Sequence, residues 1–353
     1  MIMALGGIPV LHKGECPHMI AQRRNAWSAM DKVVQPFDSV TVFGGATLDH
    51  VARSAAKPVM GASNPGTARH SPGGVGFNVA HVTARLGLDV RLITRVGTDS
   101  DGELILASAR SAGVNTDDVI VSPTERSAAY HATLDETGNL IMGIADMKIT
   151  EEISPAAIAL VTSARKGREL WVIDANLPRD TIAFLAGEAA ASGRMLAALT
   201  VSPAKAVKLI PILDRLDFLF TNRREAAALL DLDPGDPAVP ITRLAGDLAA
   251  SGATKVVVTN GAEPLAAASN GDVRAYAPFR AVVEGVNGAG DSFAAGTIRG
   301  LANGHALNDA IRFGLAAAAM TLEAGSLLAA PFSEDALGER MGAGLRVTAR
   351  LAS

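Results

Sequence analysis

From residue 38 onward, apolar positions alternate between two spacings. Short β-branched or alternating runs predict strands at Ser39–Phe43 (SVTVF), Val90–Val96 (VRLITRV), Leu170–Ile173 (LWVI), Phe218–Phe220 and Lys255–Thr259 (KVVVT). Helical spacing lies between them. Asn78–Leu86 places Val79, Val82 and Leu86 on one face, with Gly87 positioned to end the helix. Asp291–Asn303 places Ala294, Ile298 and Leu301 on one face, followed by Gly304. Alternation of this kind predicts an α/β fold, a central mostly parallel sheet flanked by helices.

Two segments break the rhythm. Ser127–Ile144 (SAAYHATLDETGNLIMGI) has two strand-like arms around the turn cluster Asp135–Asn139, which predicts a hairpin. The stretch from Asp49 to Pro72 is rich in Ala, Gly, Pro and Ser. Together, residues 49–72 and 127–147 are expected to form a small β-sheet lid over one edge of the site. Residues 1–37 mix apolar and basic positions. Their charges follow the apolar stretch rather than precede it, unlike a signal peptide. They are expected to be a poorly ordered extension to a domain at 38–353.

Composition narrows the function classes. About half of the 353 residues are apolar, enough for a large core. Lys and Arg number 32 against 36 Asp and Glu, a net charge of −4 that gives no electrostatic case for nucleic acid or an anionic membrane. No run of 18 uncharged apolar residues suggests a membrane span. The single cysteine, Cys16, allows neither an internal disulfide nor a cysteine-based zinc site, and cytoplasmic localisation is expected.

Two glycine-rich loops carry the candidate chemistry. Gly73-Gly74-Val75-Gly76-Phe77-Asn78 precedes a predicted helix, where glycines let backbone approach a ligand. Its spacing fits neither the dinucleotide fingerprint nor a Walker A loop. By itself it is equally a tight loop with an N-terminal Asn. Asn287-Gly288-Ala289-Gly290-Asp291 runs into the second helix. Backbone N–H groups from Gly288 to Asp291 and the positive end of the helix dipole would cradle phosphate charge. Asp291 stands where it could take a proton from an attacking hydroxyl; alternatively it is only an N-cap.

Taken together, GGVGFNVA followed by Leu86-Gly87 and Val96-Gly97, and NGAGDSFAAG some two hundred residues later, resemble the N- and C-terminal motifs of the ribokinase-like PfkB carbohydrate kinases. The resemblance covers residues 38–333. It implies a ribokinase-like fold with a β lid, ATP as phosphoryl donor, Mg2+ as cofactor, and a small-molecule hydroxyl as acceptor. It also implies Asp291 as base and Gly288, Ala289 and Gly290 as the anion cradle. Asn222-Arg223-Arg224-Glu225 resembles the family's N-x-x-E element, which assigns Asn222 to the nucleotide and Glu225 to Mg2+ through water. Thr259 and Gly261 fall on its nucleotide loop. Asp49, Gly73, Gly74 and Asn78 fall on its sugar-hydroxyl site.

Within the family the chain most resembles the pseudouridine kinases. Ser71–Asn78 (SPGGVGFN), Ser63-Asn64-Pro65-Gly66, Asp135–Gly138, Asp146-Met147 and Asp174-Ala175-Asn176 match their landmarks. Asn64, His131 and Asn176, with Thr67, are the polar candidates for the base, and Phe77 and Tyr130 the aromatic ones. Phe77 replaces a common Arg, Asn287 a usual Thr, and Gly285 an Asp or Asn, the latter two bearing on a possible K+ site. The expected reaction is phosphorylation of the 5′-hydroxyl of pseudouridine. The alternatives are ribose, fructose, a ketodeoxy sugar acid or another nucleoside as acceptor, or a non-catalytic sensor. A nicotinamide oxidoreductase is disfavoured by the glycine spacing. Exposed lid strands imply a homodimer.

Overall fold

A computed structural model describes residues 33–161, 168–269 and 271–351 of the chain. The strands are β1 (Ser39–Phe43), β2 (Thr47–Ser54), β3 (Gly66–Gly73), β4 (Asp89–Ile93), β5 (Arg95–Gly97), β6 (Ile120–Ser122), β7 (Ala129–Leu134), β8 (Leu140–Asp146), β9 (Glu169–Asp174), β10 (Met195–Leu199), β11 (Phe218–Asn222), β12 (Lys255–Asn260), β13 (Glu263–Ser269) and β14 (Asp272–Tyr276). Eight of them form one sheet in the order β14-β13-β12-β11-β10-β9-β1-β4. The six from β12 to β4 run parallel, and β13 and β14 close one edge antiparallel.

The parallel strands are buried on both faces, as their continuous apolar runs require. Val40, Val42, Leu170 and Val172 point into one core, and Phe43, Trp171 and Ile173 into the other. Helices α1 (Val75–Arg85), α8 (Ala289–Ala302) and α9 (Leu307–Ala324) lie in the first layer; α4 (Arg179–Ser192) and α7 (Ile241–Ala250) lie in the second. Here α2 (Ser100–Ser111), α3 (Pro155–Val161), α5 (Pro203–Ala206), α6 (Arg223–Leu229) and α10 (Glu334–Leu351) complete the helical order. A Cβ on Gly314 would come within 2.6 Å of the Phe293 carbonyl, so α8 and α9 pack backbone to backbone. That contact fixes α8, whose first turn carries Asp291.

The chain leaves β1 toward β4 on one side, and β9 sits on the other. This reversal between β1 and β9 is the sheet's switch point, and ligands of open α/β sheets bind outside the strand ends there.

The lid is a second sheet in the order β3-β2-β7-β8. Residues 49–72, low in strand formers, nevertheless supply most of β2 and β3. Their pairing is antiparallel from Thr47↔Gly73 to Ser54↔Gly66. The hairpin at 127–147 is β7 and β8, with Asp135 Oδ1 accepting from the Thr137 and Asn139 amides in the turn. The run at 90–96 is two strands rather than one, because β4 joins the main sheet and β5 pairs with β6.

The expected extension at 1–37 falls largely outside the described residues. Its last part does pack: Val34 and Phe37 are buried in the first core, so the packed chain begins before residue 38.

Candidate active site

Each glycine loop holds its position for a steric reason. Gly74 is the N-cap of α1 with φ +91, in the left-handed region, and a Cβ there would meet the Gly45 carbonyl at 2.6 Å. Gly288 caps α8 with φ +81. Asp291 is therefore the third residue of that helix and makes no capping bond, which removes the N-cap reading.

Asn78 lies one turn into α1. Its N–H is not free but bonds Gly74 O at 2.8 Å. Its side chain reaches across the sheet ends and donates from Nδ2 to Asp291 Oδ2 at 2.7 Å, leaving its own Oδ1 unpaired. Residues 213 positions apart in sequence thus form one pair. Asp291 borders an open cavity, yet most of its surroundings exclude water. Burial pushes its carboxyl up to about 7; the Asn78 bond opposes this, and the charges of Asp174 and Glu225 add to it.

That cavity has a volume of ≈ 270 Å3. One wall is Gly288, Gly290 and Asp291. The lining also includes Thr200, Thr221 and Thr259 from the ends of neighbouring strands and Glu225 from α6. Ala289 N–H is already turned to Val286 O at 3.3 Å. Of the other cradle N–H groups, those of Gly290 and Asp291 lie in the first turn of α8, where a helix supplies no internal acceptor. Val201 also lines the cavity with φ +68, a strained conformation for a β-branched residue, with Ser202 N–H folded back on Thr200 O at 2.8 Å.

Asn222 and Glu225 border the cavity and form a reciprocal capping box on α6. Asn222 Oδ1 accepts from Glu225 N at 3.0 Å, and Glu225 Oε2 accepts from Asn222 N at 3.2 Å. The Thr200 hydroxyl donates to the same Oε2. Thr259 donates to Thr221 O at 3.3 Å at the end of β12. Gly261 sits in the β12–β13 turn with φ +62, outside the cavity lining.

On the lid side, Asp49 faces Gly73, whose added Cβ would lie 2.7 Å from Asp49 Oδ2. Burial raises its carboxyl pKa, while the Thr47 hydroxyl, donating to Oδ1 at 3.0 Å, and His50 oppose the rise. Tyr130 pairs with Asp49 across β2 and β7 and so shares its face.

Three residues expected at the nucleobase have the following surroundings. Phe77 is fully buried in the first core, because α1 turns that position toward the sheet. His131 pairs with His50, on the lid face opposite Asp49, and stacks on its ring at 4.6 Å. Asn64 spends its side chain on Val59 N, Val59 O and Ala62 O, closing the β2–β3 loop. Asn176 is buried beside the site, bonded to Asp174 and to Lys205 Nζ at 2.6 Å. Gly285 packs on the backbone of Gly325, which leaves no room for the Asp or Asn side chain that the resemblance leads one to expect there.

Sequence reading missed Thr200, Val201 and Lys205 and gave Asp174 no role. A lone Asp at the end of a buried apolar run was the one available signal.

Comparison with known proteins places this geometry. Pseudouridine kinase of Escherichia coli (strain K12) is 28% identical over 289 residues, covering 81% of this chain and 90% of that protein. A carbohydrate kinase from Agrobacterium tumefaciens superposes with a TM-score of 0.74 at 33% identity, covering 86% of this chain and 97% of its own. Arabidopsis thaliana ribokinase, solved with ribose and ATP, shares the fold with a TM-score of 0.74 at 20% identity, covering 87% and 99%. Residues 38–331 match the pfkB family carbohydrate kinases. With both glycine loops meeting at the Asn78–Asp291 pair, the chain belongs to that family, phosphotransferases that act on an alcohol group.

Proposed function

We propose that the chain moves the γ-phosphoryl group of ATP to the 5′-hydroxyl of pseudouridine. The observation that carries the chemistry is Asp291, desolvated, bonded to Asn78 and lining a cavity between α8 and the strand ends. The acceptor hydroxyl gives its proton to Asp291. Its oxygen forms a bond to the γ-phosphorus as the bond to the bridging oxygen breaks, and ADP leaves. Gly290 and Asp291 N–H groups stabilise the charge on the transferring group. Asp49 and the Gly73-Gly74 backbone hold the sugar hydroxyls.

Among the described residues, no three His, Cys, Asp or Glu side chains form a direct metal site. Glu225, with one carboxylate oxygen already shared by two donors, suits Mg2+ held through water and the nucleotide phosphates. Such an ion would neutralise phosphate charge.

The choice of pseudouridine rests on landmarks in both lid segments and on the Escherichia coli relative. Pseudouridine has a carbon–carbon glycosidic bond and an additional ring N–H. A site that pairs that N–H is left with an unpaired buried group when uridine binds. A panel of pseudouridine, uridine, ribose and fructose is expected to show kcat/KM for pseudouridine at least about tenfold above the others. Equal or better values for uridine, ribose or fructose would remove the substrate assignment and leave the kinase.

We also propose a homodimer joined through the lids. β8 is an edge strand, and Leu140, Met142 and Ile144 are each more than half exposed on it. An apolar edge of this kind is covered in stable proteins, and a second copy of the lid supplies a matching face. Sedimentation at micromolar concentration is expected to give a dimer for the native chain and a monomer for Met142→Lys/Ile144→Lys. A native monomer, with and without ligands, would refute the arrangement.

A further inference from the structure

Asp174 lies at the C-terminal end of β9, at the switch point, and is buried. Among the described residues it has no cation as a direct partner. Its carboxylate is satisfied by four N–H donors. Oδ2 accepts from Gly45 N at 2.9 Å, Gly76 N at 2.8 Å and Asn176 Nδ2 at 3.1 Å, and Oδ1 accepts from Asn176 N at 2.8 Å. Two of these donors belong to different loops. Gly45 precedes the strand that carries Asp49, and Gly76 opens the helix that carries Asn78.

The loops are pressed together at this point. Phe77 N bonds Gly45 O at 3.2 Å, and a Cβ on Gly76 would meet Gly44 Cα at 2.8 Å. Four donors converging on one buried carboxylate are more than a fold needs to terminate a strand, and they fix the relative height of both loops. The network continues. Asn176 Oδ1 accepts from Lys205 Nζ at 2.6 Å, and Lys208 Nζ donates to Leu177 O at 3.0 Å. Lys205 follows the strained turn at Val201 that lines the cavity, and Thr200 of that turn holds Glu225.

We propose that Asp174 is a positioning residue that clamps the two acceptor-side glycine loops into register, and that Asn176 and Lys205 tie this clamp to the segment lining the nucleotide cavity. Asp174 touches no reactant. It acts by setting where Asp49 and Asn78 stand relative to Asp291, and a misplacement of about 1 Å in such a group lowers rate steeply. The proposal rests on the assignment of Asp49 and the 73–78 loop to the acceptor.

The test compares Asp174→Asn and Lys205→Met in the full chain. Asp174→Asn turns an N–H donor toward N–H donors. Lys205→Met leaves the glycine loops untouched and keeps the proposal testable if the first variant fails to fold. Steady-state assays use pseudouridine and ribose as acceptors. Acceptor KM is expected to rise about tenfold or more in Asp174→Asn and severalfold in Lys205→Met, with ATP KM within about twofold of the parent. Amide exchange at 44–46 and 73–78 is expected to quicken in Asp174→Asn, whichever acceptor is used. If the parent phosphorylates neither acceptor, the substrate assignment fails and the exchange measurement still decides the clamp. Unchanged exchange, or ATP KM rising as much as acceptor KM, overturns it. A rise in ATP KM alone for Lys205→Met would make Lys205 a nucleotide ligand and sever the tie.

Discussion

Asp291→Asn is expected to lower kcat by about 10²–10⁴, the usual range for losing a positioned proton acceptor, with ATP binding almost unchanged. The amide keeps the shape of the carboxyl and its place in the first turn of α8. It also still accepts from Asn78 through its oxygen. What it loses is the ability to hold the proton of the attacking hydroxyl. The same variant is expected to be more resistant to heat at pH 8. The native carboxyl keeps its proton up to about 7, whereas the unfolded chain releases it near the ordinary value of 3.8. Stability from this group is therefore greatest at low pH, falls as pH rises from about 4 to 7, and stays lost above that. The neutral amide escapes that cost. Loss of activity with a gain in melting temperature marks a group kept for chemistry rather than for folding. Near-normal turnover would remove Asp291 from the mechanism.

A steep acid limb in kcat/KM is the second expected result. The base works only when ionised, so activity tracks its deprotonated fraction. With a pKa of about 7, kcat/KM for the acceptor is expected to fall roughly tenfold per pH unit below neutrality, about 100-fold at pH 5. An ordinary aspartate would keep its charge across that range and give a flat profile, which is the outcome that would refute the assignment. The nucleotide's own phosphate titrates nearby, so a second variant separates the two. Asn78→Ala removes the bond that favours the charged carboxyl and is expected to move the limb to higher pH. A limb belonging to ATP would stay in place.

Much of the site could be read from the chain because its chemistry sits in contiguous loops. NGAGD offers glycine and other small residues where a tight turn leads into a helix, and Gly288 indeed takes a left-handed φ. GGVGFN likewise names its own turn and helix start. The lid's first hairpin was harder to read. Residues 49–72 carry few strand formers, and five of the eight residues of β3 are exposed, so pairing with β2 rather than intrinsic preference makes it a strand.

The sides of elements were the least legible. His131 and Asp49 lie in lid segments that look equally suited to the acceptor, but register puts them on opposite faces. Phe77 stands beside Asn78 in sequence and points the other way, into the core. Asn64 looked like a ligand and closes its own loop.

The sequence by itself determined the α/β alternation, the two glycine loops and the candidate base, because these depend on local spacing and on residue types a short segment must have. Only the tertiary structure decided that Asn78 grips Asp291, that Asp174 joins Gly45 to Gly76, and that desolvation lifts Asp291 toward neutrality. Each depends on groups far apart in the chain meeting where the strand order reverses, between β1 and β9. Burial and distance at that meeting point are properties of the packed sheet, and no segment carries them alone.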